Sequence, residues 1–89
     1  MAKVIVQKLD ENEIEERQIL KWPVWEKEVS RFEHIYEGDE ECLFLEGEVV
    51  IETEQENYTI VAGDFVIFED GLKCIWDIKT PVRKHYNFP

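Results

Sequence analysis

Five polar turns divide the middle of this chain into short apolar runs, and no other feature of the sequence constrains the fold as tightly. They are Glu37-Gly38-Asp39, Glu46-Gly47-Glu48, Glu54-Gln55-Glu56, Ala62-Gly63-Asp64 and Glu69-Asp70-Gly71. The runs between them, such as CLFL, NYTIV and FVIF, are too short for stable helices and rich in β-branched and aromatic residues. Each therefore predicts a strand. Turn signals every eight to twelve residues predict an all-β sandwich or barrel. Gly47 reads as the tip of a hairpin, because glycine takes positive φ at little cost. A second hairpin is expected about residues 54–56.

The flanks fit the same architecture. Residues 3–9 predict a first strand. Asp10 with Glu13 has the form of a capping box, so a short helical turn is expected over residues 11–17, ending on Arg17 in the favourable dipole order. Pro23, between Trp22 and Trp25, predicts an edge or a bend. Residues 26–36 read as an imperfectly alternating strand. Residues 72–78 predict another, broken by Thr80-Pro81, and residues 82–88 a last one. A single domain over residues 1–89 is expected.

Composition narrows the function. The chain carries 21 acidic against 10 basic residues, a net charge of −11, which argues against nucleic acid and against an anionic membrane surface as partners. It shows neither a spanning apolar stretch nor a signal sequence, so a soluble, cytoplasmic protein is expected. A charged fraction of 35% in which Glu greatly outnumbers Gln leans toward a heat-adapted source. Cys42 and Cys74 form no CxxC pair and are expected as free thiols.

Strand parity then groups the candidate site residues. Successive side chains of a strand point to opposite faces. Phe32, His34 and Tyr36 share one parity, as do Glu40, Cys42 and Phe44, then Leu72, Cys74 and Trp76, then Lys84 and Tyr86.

Two spacings resemble the motifs of the cupin superfamily. His34-x-Tyr36-x3-Glu40-x6-Gly47 follows the first cupin motif with Tyr for its second His. Gly63-x5-Glu69-x-Gly71-x2-Cys74 follows the second, with Glu for Pro and Cys for the metal-binding His, and with Ile78 where that motif ends in Asn. More closely, the chain resembles small cupins of the ureidoglycine aminohydrolase and ethanolamine-utilisation group. The shared residues are Glu40-x-Cys42-x3-Glu46-Gly47, Ala62-Gly63-Asp64-x4-Phe68-x2-Gly71, Trp76 and Pro81-Val82-Arg83-Lys84-x-Tyr86. The resemblance implies a jelly-roll barrel of six to eight strands, often dimeric, so a homodimer is expected.

Carried over by position, the resemblance implies a divalent metal (Zn, Mn, Fe or Ni) held by His34, Glu40 and Cys74, with Tyr36 or water as a fourth ligand. The alternative is a polar barrel interior without metal. A carboxylate such as Glu40 inside an aromatic barrel must be paired or have a raised pKa, which makes it a candidate acid or base, with Lys84 as partner. Tyr36 and His34 would orient or donate a proton. Trp25, Phe32, Cys42, Trp76 and Tyr86 would wall a substrate. Three readings follow: an enzyme acting on a small ureido or amide compound, a non-catalytic small-molecule binder with a degenerate metal site, and a docking partner of other chains.

Overall fold

The computed structural model describes residues 2–89 and consists mainly of strands, as the turn spacing predicts. β1 is Val4–Lys8, β2 Val24–Lys27, β3 Ser30–Ile35, β4 Glu40–Glu52, β5 Asn57–Val61, β6 Asp64–Phe68 and β7 Lys73–Asn87. All pairings are antiparallel, and the strands build the all-β barrel that the turn spacing predicts. Helix α1, Glu11–Glu16, begins where the capping box places it. Asp10 Oδ1 accepts the Glu13 amide at 2.8 Å, and the Glu13 carboxylate accepts the Asp10 amide at 3.4 Å. No helix among the described residues is long and apolar enough to cross a membrane.

Two expectations about strand ends are corrected. Gly47 is no hairpin tip: β4 runs through it for 13 residues. Thr80-Pro81 does not end a strand: β7 runs through it for 15 residues. The two interruptions face each other. The β4–β7 register slips between Phe44 and Val49, where Gly47 lies opposite Pro81 and Val82. Gly47 has φ +91°, and a Cβ there would stand 2.2 Å from the Pro81 carbonyl oxygen. Only glycine accepts both the dihedral and the contact. Proline is tolerated at such a bulge because the ladder is already interrupted. A third difference is smaller. Residues 26–36 split into β2 and β3 at Glu28-Val29.

These bulges explain the topology. The first part of β4 pairs with β6 and its last part with β5. The first part of β7 pairs with β3, and Val82 to His85 pair with β2. Each long strand therefore serves both halves of the barrel, and the alternating side chains of the two halves meet in one apolar interior. Phe44, Val49, Ile51, Ile60, Val66, Phe68, Trp76 and Ile78 form its centre. On the outer side, Ile19, Leu43 and Phe65 make a second cluster, covered by Ile14 of α1 and by Trp22. Trp22 follows a 3-10 turn, Ile19–Lys21, and its carbonyl accepts from His85 Nδ1 at 2.9 Å.

Candidate functional site

Most of the parity groups converge. One cavity of about 280 Å³ is lined by Trp25, Phe32, His34, Tyr36, Glu40, Trp76, Lys84 and Tyr86, with Phe88 added at the mouth. Register explains the convergence. Phe32 pairs with Trp76 and His34 with Cys74 across β3 and β7, while Trp25 pairs with Lys84 across β2 and β7. Phe88 continues the parity of Lys84 and Tyr86, which is the signal in the sequence that would have found it.

The walls are aromatic. Phe32 stacks on Trp76 with centroids 6.0 Å apart and planes 15° apart, and Trp25 meets Trp76 edge-on at 5.7 Å. Tyr36 stacks on Phe68 at 5.0 Å, and His34 stands edge-on to Tyr36 at 4.4 Å. Such pairs add to burial and fix ring positions. The Trp76 indole N–H is buried and faces the Tyr36 hydroxyl, without a close hydrogen bond among the described residues.

The polar floor is a buried ion pair. Lys84 Nζ donates to Glu40 Oε2 at 3.2 Å and to Cys42 Sγ at 3.1 Å, and both charged side chains are less than a tenth exposed. Four rings surround the ammonium: Trp76 at 4.9 Å, Trp25 at 5.1 Å, and Phe44 and Tyr86 at 6.0 Å from their centroids. Negative ring faces attract a cation held in this way. Phe44 shares the parity of Glu40, but the sequence assigns it no role at the site. Its place here follows from its register opposite Lys84.

Burial also sets the protonation of the neighbours. It is the main cause holding the Tyr36 phenol far above its ordinary range, and the Glu40 charge adds to the rise. The Cys42 thiol is pushed up to about 12, chiefly by burial and against the pull of Lys84. Cys74 is pushed up to about 11, by burial and then by Glu40. At neutral pH all three stay protonated.

Two expectations about individual residues change. Cys42 is not a wall residue: it is fully buried beneath the Lys84 ammonium and does not line the cavity. The proposed metal set does not come together either. Among the described residues no group of three or more His, Cys, Asp or Glu side chains could hold a metal ion. His34 lies exposed at the mouth, Cys74 is a buried thiol that does not line this cavity, and Glu40 is already engaged by an ammonium. These donors do not fit a divalent metal, which needs several deprotonated donors converging on one point.

Comparison with known proteins places the fold. A search of curated proteins finds no match. Among solved structures, a DUF861 family protein from Thermotoga maritima is 44% identical, with 98% of this chain and all of that one covered and a TM-score of 0.94. An ethanolamine utilization protein Q from Salmonella typhimurium is 27% identical, over 71% of this chain and 51% of its own length, with a TM-score of 0.65. The EutQ protein of Clostridium difficile, 17% identical, covers 99% of this chain and 69% of its own, with a TM-score of 0.67, and at that identity the likeness is one of fold. The profile of the EutQ-like cupin domain, Cupin_3, matches residues 14–86. The chain thus belongs to the EutQ-like cupin family.

Proposed function

We propose that the cavity binds a small molecule with a flat, largely apolar body and a polar end of amide or ureido type. The observation that carries this reading is the buried Glu40–Lys84 pair at the floor of an aromatic pocket. A carboxylate beside an ammonium offers one acceptor and one donor, the complement of an N–H next to a C=O. Trp25, Phe32 and Trp76 supply faces on which a flat body stacks. We take the protein to be cytoplasmic, where Cys42 and Cys74 remain reduced.

Catalysis at this site would use Glu40 as the general base that takes a proton from an attacking water and returns it to the leaving nitrogen as the C–N bond breaks, with Lys84 polarising the carbonyl oxygen and the Tyr36 hydroxyl donating a hydrogen bond to it. Binding without turnover is the second reading. It is favoured by the 3.2 Å contact that already engages a Glu40 oxygen. Melting-temperature screening of small amides, ureides and carboxylates tests the proposal. A saturable rise is expected for at least one of them; Glu40→Gln should abolish it, and Trp25→Ala should move it to roughly tenfold higher concentration. If no compound raises the melting temperature, or if both variants respond as the wild type does, the proposal fails. Chromatography of the bound compound after long incubation separates turnover from binding.

A further inference from the structure

We infer that Lys84 is the resident cation of the barrel lumen and stands where a cupin metal would, so that the site works without metal. This deepens the binding reading and rests on it for the ligand, while the position of the charge rests on geometry. The Lys84 ammonium is 3.2 Å from the carboxylate that a metal would need and 3.1 Å from the Cys42 sulfur beside it. A divalent ion on the same carboxylate would lie next to a fixed positive charge in a poorly solvated space, where repulsion is weakly screened.

The surroundings select an alkylammonium rather than a metal. Four ring faces between 4.9 and 6.0 Å attract a singly charged organic cation but present no lone pairs to a metal. The donors that remain do not assemble: among the described residues none form a metal-holding group. The stem of Lys84 comes from β7, opposite Phe44 of β4, so the strand register fixes where the charge sits. A fixed ammonium also supplies what a Lewis acid would, a positive charge aimed at a ligand carbonyl or carboxylate oxygen.

Metal analysis and melting of the full chain, purified without an affinity tag, test this. The expected wild-type result is no stoichiometric metal and a melting temperature unmoved by EDTA, Zn²⁺ or Mn²⁺. In Lys84→Ala, which leaves Glu40 unpaired, methylammonium should raise the melting temperature in a saturable way, and it should leave the wild type unchanged. One equivalent of metal in the wild type, lost in Glu40→Gln, would overturn the inference, as would a fall in wild-type melting with EDTA. The wild-type measurements decide the matter even if Lys84→Ala does not fold. Failure to find any small-molecule ligand would sink the binding reading alone, because no ligand enters this test.

Discussion

The two faces of β4 differ sharply although they are cut from one run of residues. Leu43 points outward into a small cluster with Ile19 and Phe65, closed by Trp22, and the buried His85 opposite Leu43 is held by its hydrogen bond to the Trp22 carbonyl. Glu40, Cys42 and Phe44 point inward, where an ion pair, a thiol and a ring meet an open cavity. The outer face is closely filled, as a cluster that only stabilises can be. The inner face gives up packing for a space and retains a charge pair whose desolvation offsets much of its attraction. Alternation in one strand thus separates holding the fold from presenting a site.

Substitutions on each side sharpen that contrast. Phe65→Ala should have the largest effect, about 3–5 kcal/mol of stability by denaturant unfolding, because the ring is fully buried. Its folded fraction should bind cavity ligands with unchanged affinity, and a specific loss of affinity would break the separation of roles. Gly47→Ala should strike both faces at once, since β4 carries both. A non-glycine residue at φ +91° alone costs roughly 1–3 kcal/mol, and the clash with the Pro81 carbonyl adds to it. Trp25→Ala, at a half-buried wall position, should cost only about 1–2 kcal/mol of stability while lowering ligand affinity roughly tenfold or more, measured by calorimetry.

The smallest effect is one of pH. The Cys42 thiol ionises near its ordinary value of 9.0 when unfolded but only at about 12 when folded. A raised folded pKa leaves its contribution intact below pH 9 and removes it as pH rises toward 12, because only the unfolded chain sheds the proton in that window. Stability should therefore fall between pH 9 and pH 11, with a gentler slope in Cys42→Ala. Equal slopes in the two proteins would mean that the thiol does not carry the effect.

Much of this was legible from strand parity and turn chemistry. The inward groups of Phe32 with Tyr36, of Glu40 with Phe44, and of Lys84 with Tyr86 follow from counting by twos. Gly47 and Pro81 were misread for a physical reason. A glycine at a bulge and one at a turn have the same local chemistry, and only the partner strand, more than thirty residues away, tells them apart. The metal ligands were placed by analogy of position. Pairing of Glu40 with Lys84 was foreseeable from charge, but the crowding of that pair by Cys42 and four rings depends on register across β4, β7 and β2.

The passage of β4 and β7 through both halves of the barrel has a mechanical consequence. Two structural halves that share their longest strands have no seam along which to part, so opening one loosens the other. Backbone amides near Ile51 and near Cys42, at opposite ends of β4, should exchange with deuterium through the same whole-molecule event. A ligand gripped at one end would then slow exchange at the other without touching it.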